Sequence, residues 1–142
     1  MLAAARRHFA ALGIADRITL LERHLPDPTI AGAGPFDAVI SNSLLHHLDD
    51  PRTMWETVAL GRPGAAVLVQ DLRRPADEAT LAALTAEHTV GAHPVLVEDF
   101  THSLRAAYTV DEIEAQLAAT GLDLAVEAVG DRHVVVSGFL PA

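Results

Sequence analysis

Cysteine and lysine are both absent from the 142 residues. Without cysteine there can be no disulfide, no thiolate metal ligand and no cysteine nucleophile, and the redox compartment is left open. Long apolar runs are missing too. None approaches the roughly 18 residues that a membrane-spanning helix needs. The opening Met-Leu-Ala-Ala-Ala-Arg-Arg-His-Phe places its basic pair after a short apolar run instead of before a long one, so it reads as a helix and not as a targeting segment. A soluble, cytoplasmic protein with no membrane contact is the expectation. All ten basic residues are arginine, a coding bias without functional weight. The formal charge of -9 opposes binding to a phosphate backbone, which relies on basic patches, so no nucleic-acid partner is expected.

What the chain does have is core-forming residues. Half of it is hydrophobic, enough for one globular domain over residues 1 to 142. The most informative stretch runs from Phe36 to Pro51. A short apolar run with β-branched residues, Phe36 to Ile40, gives way to Ser41, Asn42 and Ser43, then to His46 and His47 and a helix start. That pattern is a strand delivering a polar loop to a sheet edge. Ligand crevices of open α/β sheets lie at the carboxyl ends of strands, so chemistry is expected there.

The flanking elements follow from periodicity and punctuation. Leu2, Ala5, Phe9 and Leu12 predict a helix over residues 1 to 12 that stops at Gly13. No capping residue precedes Met1, so the natural helix start is expected to lie upstream. Ile18 to Leu21 reads as a strand buried on both faces. Pro26, Pro28, Gly32, Gly34 and Pro35 mark a loop. Asp50 is expected to cap a helix with Pro51 at its first position, running to about Leu60. Ala65 to Val69 is a further buried strand ending at Gln70, Asp71 and Leu72. A helix is predicted from Ala76 to about His88, and residues 89 to 107 fit no single pattern. Thr109 and Glu112 form a capping box for a helix ended by Gly121. The tail alternates through Leu124, Val126 and Ala128, turns at Val129 to Arg132, and returns through His133 to Ser137; so short a connection makes the two strands antiparallel.

This order of elements, with Phe36-Asp37-Ala38-Val39-Ile40, the Ser41 to Leu48 loop, Arg62-Pro63-Gly64 before the Val67 strand, and the closing hairpin, resembles the class I S-adenosylmethionine-dependent methyltransferases over essentially the whole chain. The resemblance implies a Rossmann-like α/β sheet, mostly parallel with a C-terminal antiparallel hairpin. Its first two strands are absent, as in the C-terminal portion of a methyltransferase domain. The family holds its cofactor mainly through a glycine-rich turn after the first strand and an acidic residue ending the second, and neither is present. Gly32-Ala33-Gly34 does not substitute, because it leads into a strand instead of opening a helix. Two strands missing from the middle of a sheet leave unpaired edges. The chain is therefore expected to be incomplete or to obtain its missing half elsewhere, by self-association or from a partner chain at an exposed sheet edge.

By the resemblance, S-adenosyl-L-methionine is the cofactor, a small molecule is the methyl acceptor, and His24, Leu25, Asn42, Ser43 and Leu44 lie where the family meets the cofactor. His24 stands in place of an acidic residue and reads equally as an exposed loop histidine; Asn42 and Ser43 read also as a simple turn. His46 and His47 are the catalytic candidates. Being adjacent they cannot share a helix face, so at most one is expected to point into the crevice, where it could serve as a general base if the acceptor must lose a proton, and the other is structural. A metal site built from His46, His47, Asp49 and Asp50 is set aside, because neighbours diverge and the i, i+4 spacing of helical zinc motifs is missing. Asp71, Arg73, Arg74, His102, Arg105 and Tyr108 are candidates for contact with the acceptor. The rival readings are a noncatalytic interaction module on the same fold and, more weakly, a metal-dependent hydrolase using the histidine pair.

Overall fold

The computed structural model describes residues 2–142, and the helix start expected at Met1 lies outside the described residues. Helix α1 spans Leu2–Ala11, strand β1 Phe36–Asn42, helix α2 Arg52–Val58 and strand β2 Gly61–Leu72. Helices α3 (Glu78–His88), α4 (Pro94–Ala106) and α5 (Val110–Thr120) follow, then strands β3 (Ala125–Val129) and β4 (His133–Phe139). The strands form one sheet in the order β1-β2-β4-β3. β1 and β2 are parallel, β4 is antiparallel to both β2 and β3, and β4 alone therefore runs against the other three. The expected α/β sheet with a closing antiparallel hairpin is what forms.

Alternation along β2 decides where the core lies. Ala65, Val67, Val69 and Asp71 are buried on one face, against Trp55 and Val58 of α2, Ile113 and Leu117 of α5, and Val134 and Val136 of β4. The opposite face carries Ile40 and Phe139, each 71 % exposed, and Leu68. In register, Ile40 stands beside Leu68, and Phe139 beside Ala66. Burial on both faces, the expectation for a continuous apolar run, is thus corrected, because α2 and α5 cover only one side. A second correction concerns Ile18 to Leu21, which forms no strand. A strand needs a neighbour for its backbone groups, and among the described residues none pairs with this segment or with the outer edge of β1.

Local signals hold where they are self-contained. Asp77 accepts the Thr80 amide at 2.7 Å and starts α3. Asp50 accepts the Arg52 amide at 3.0 Å, although the helix proper begins at Arg52 with Pro51 as its cap residue. Residues 94 to 106, left unassigned by pattern, form α4 with Pro94 in the first turn and Phe100 and Leu104 facing Leu81 and Leu84 of α3. No helix among the described residues is long and apolar enough to cross a membrane.

Helix α5 opens on a full capping box and closes on Gly121 at φ 72°, in the left-handed region that glycine enters at little cost. Thr109→Ala is expected to cost about 1 kcal/mol, measured by urea unfolding. Burial pushes the Glu112 carboxyl up, but the Thr109 amide and the Arg74 guanidinium outweigh it and hold the group below its ordinary value. Its stabilisation is therefore present above the unfolded carboxylate range and lost as pH falls through the lower folded value. Glu112→Gln should remove that component. Its deficit relative to the wild type should be visible at pH 7 and shrink towards pH 3; a deficit independent of pH would contradict the assignment.

Candidate active site

The carboxyl ends of β1 and β2 lie side by side, with Asn42 opposite Gln70. The Ser43 amide donates to the Gln70 carbonyl at 2.9 Å. Ser43 itself sits at φ 54°, a left-handed conformation unusual for a residue with a side chain. This bend turns the chain out of β1 and into a short 3-10 turn, Leu45–His47, which brings the turn over the end of β2.

There Asp71, 2 % exposed, meets it. Asp71 Oδ2 accepts the Leu45 amide at 2.7 Å, and Oδ1 accepts the Leu72 amide at 2.7 Å. His46 Nδ1 lies 2.5 Å from Oδ1. The burial of a charged carboxylate is tolerable because three donors converge on it. An ionised carboxylate can only accept, so Nδ1–H donates to it, and Nε2 is the ring nitrogen that keeps a lone pair whenever the imidazole is neutral. The buried imidazole is therefore fixed in the tautomer a general base requires. His47 is exposed, and its ring lies over that of His46 with centroids 3.9 Å apart.

The other candidates are placed as follows. Asn42 and Ser43 are exposed at the strand end, and Leu44 packs against the core. His24 is exposed on an irregular segment and Leu25 is half-buried. Asp71, expected to face an acceptor, instead has both oxygens engaged inside the fold. Arg73 donates to the backbone carbonyls of Asp131 at 3.0 Å, His133 at 3.3 Å and Gly130 at 3.4 Å, so its guanidinium clamps the β3–β4 turn. Arg74 pairs with Glu112, and Arg105 pairs with Glu78 at 2.8 Å. His102 is exposed on α4. Tyr108 is half-buried against the core; burial, followed by the Glu112 and Asp50 carboxylates, raises its phenol above the ordinary range. Asn42 to Leu44, the histidine pair and Asp71 are thus gathered at one place, while Arg73, Arg74 and Arg105 are each engaged in contacts of the fold.

Ser41, read in the sequence only as part of the polar strand end, is a further candidate. Its Oγ is buried and has no hydrogen-bond partner, at the strand end where the chemistry gathers. Sequence reasoning missed a surface cluster of Glu87, His88 and Asp131, whose possible ligand atoms lie within 4.8 Å of one another. His88 Nε2 is 2.5 Å from Asp131 Oδ2 and 2.9 Å from Arg132 Nη1, so a fixed cation already occupies the approach to that nitrogen. His88 draws the Asp131 carboxyl below its ordinary value, as expected of a surface ion pair. His46, His47, Asp49 and Asp50 form no three-ligand grouping among the described residues.

A comparison of solved structures decides the fold. The chain superposes over 99 % of its length on an O-methyltransferase family protein from Burkholderia thailandensis, with a TM-score of 0.69 and 22 % identity, covering 41 % of that protein. The fold is that of the class I S-adenosylmethionine-dependent methyltransferases. A SAM-dependent methyltransferase from Aquifex aeolicus agrees, with a TM-score of 0.61 and 17 % identity over 96 % of this chain and 61 % of that one. In sequence, this methyltransferase-fold chain is 33 % identical over 94 residues to the ubiquinone biosynthesis O-methyltransferase of Caulobacter sp. (strain K31), covering 66 % of this chain and 36 % of that protein. The chain spans about a third of the length of the curated relatives it matches. No family model matches it. Within this fold, the Asp71–His46 pair stands at the carboxyl ends of the parallel strands β1 and β2.

Proposed function

We propose that this chain forms the acceptor side of an S-adenosylmethionine-dependent methyltransferase that methylates a hydroxyl group of a small molecule, with His46 as general base. The observation that carries the reading is the buried Asp71–His46 pair at the carboxyl ends of two parallel strands. S-adenosylmethionine, when bound, supplies an electrophilic methyl group on a sulfonium. Such a transfer is an in-line displacement governed by positioning, and a base is needed where the acceptor must lose a proton. His46 Nε2 takes the hydroxyl proton as the methyl passes to the oxygen, and Asp71 stabilises the imidazolium that results. That the curated relatives are named O-methyltransferases supports an oxygen acceptor.

The residues present suit one side of the cofactor. Asn42 and Ser43 offer short, uncharged, exposed side chains at the strand end, Leu44 adds an apolar one, and the Ser41 hydroxyl is an open hydrogen-bonding group beneath them. His24 and Leu25 belong to the proposal as contacts for the adenine end. Nothing in the 142 residues plays the part of the glycine-rich turn, so polypeptide outside them supplies that side of the site, joined through the edge of β1 that has no partner among the described residues. The bare sheet face bearing Ile40, Leu68 and Phe139 favours such a partner. It equally favours the second reading, an interaction module without catalysis.

Calorimetric titration with S-adenosylmethionine separates the two. The chain alone should bind weakly or not at all, and a form extended by a strand, glycine-rich turn and helix should bind. Absence of binding by both would remove the methyltransferase reading and leave the interaction module.

A further inference from the structure

Successive residues on a 3-10 turn project roughly 120° apart, since three make one revolution. The rings of His46 and His47 should diverge accordingly. Instead their centroids are 3.9 Å apart and their planes are tilted by 40°, so the His47 side chain is folded back over its neighbour. His47 is exposed, and among the described residues its imidazole makes no hydrogen bond or ion pair. The His46 side chain, by contrast, is 4 % exposed. It is held at Nδ1 by Asp71 and lies against the ring of His47, while α4 packs against the turn that carries both histidines.

We propose that His47 is a positioning residue for His46: its ring covers the face of the buried imidazole, limits its rotation about the bond to Asp71 and keeps water from the Nδ1–H···Oδ1 bond. The inference rests on the reading of His46 as the base. A single hydrogen bond leaves the imidazole free to rock, because its terminal torsion is broad. A contact on the ring face removes that freedom. Excluding water also matters for Asp71, since a charge-assisted bond is stronger where the local dielectric is low and no solvent competes for the acceptor. An exposed histidine engaged only with another histidine is explained by this arrangement. A residue serving solubility or helix formation would have no reason to fold back.

The test is nuclear magnetic resonance on the full chain labelled with [15N]histidine, reading the His46 tautomer and the solvent exchange of its Hδ1 proton. In the wild type, His46 should be a single Nδ1–H tautomer with a protected Hδ1. His47→Phe, which keeps a flat ring over the imidazole, should retain both features. His47→Ala and His47→Gln should raise Hδ1 exchange by about tenfold or more and broaden the ring nitrogen signals as the imidazole gains motion. Backbone amide spectra show whether each variant is folded, and because the position is exposed all three are expected to be. Unchanged Hδ1 exchange in a folded His47→Ala or His47→Gln would overturn the proposal, as would loss of protection in His47→Phe to the same extent as in the other two. None of these readouts uses methyl transfer. Failure here leaves the proposed function standing, whereas failure of S-adenosylmethionine binding removes the base that His47 would position and leaves only the ring contact.

Discussion

Asp71→Ala is expected to destabilise the fold by about 3–5 kcal/mol, because it removes a buried acceptor shared by three donors. Three donors lose their acceptor at once: the Leu45 and Leu72 amides and His46 Nδ1. Each buried donor left without a partner costs about 1–3 kcal/mol. The three do not add in full, since the imidazole can turn and water can enter the vacated space. Against a domain stability of about 5–15 kcal/mol, such a loss is large. Asp71→Asn separates charge from volume. It retains one carbonyl acceptor but sets an amide N–H against one of the donors, so an intermediate loss of about 2–3 kcal/mol is expected. Where that amide faces His46, it favours the tautomer with its proton on Nε2, which is no longer a base. In any preparation that transfers methyl groups, Asp71→Asn should therefore lower kcat by about 10²–10⁴-fold, the usual contribution of general-base catalysis. Urea unfolding measures the first effect as a lower midpoint at constant slope. A loss below about 1 kcal/mol for the alanine variant would show that the Asp71 contacts are not the anchor described.

The second large effect is Trp55→Ala, expected to cost about 3–5 kcal/mol. Trp55 is 1 % exposed in the middle of α2, packed between the sheet and α5, and its Nε1–H donates to Gln116 Oε1 at 3.0 Å. Removing it opens a cavity and orphans that contact together. The corresponding fall in Tm is roughly 10–20 °C for a domain of this size. Trp55→Phe keeps most of the packing and loses the hydrogen bond, so about 1–2 kcal/mol is expected. Helix α2 follows the 3-10 turn within five residues, and the ring of Trp55 therefore also anchors the support of His46. The alanine variant should show increased amide exchange in residues 45 to 47 before global unfolding; exchange confined to α2 would disconnect the core from the site.

Several features could be read from the sequence because their physics is local. The Thr109–Glu112 box, the Gly121 stop, the Asp77 start of α3 and the short turn joining β3 to β4 involve residues a few positions apart. Their chemistry identifies them without knowledge of the rest of the fold. The polar end of β1 was also recognisable, as a change from β-branched residues to serine and asparagine. Other readings failed where a distant partner decides. Ile18 to Leu21 has the composition of a strand but no strand beside it. The apolar run in β2 cannot state whether one or both of its faces will be covered. Arg73 and Arg105 look like free cations in the sequence and are engaged in the structure by residues 57 or more and 27 positions away, respectively.

The site shows the same division most clearly. The sequence alone determined that a polar loop with two adjacent histidines follows an apolar strand, and that the order of elements is that of a class I methyltransferase without its glycine-rich turn. It could not say which histidine is buried, nor that Asp71 serves His46 instead of an acceptor. These two residues are 25 positions apart and meet only because β1 and β2 pair in parallel register and Ser43 bends the chain across their ends. Only the tertiary structure makes that choice, because a buried carboxylate must find its donors wherever the packed sheet brings them.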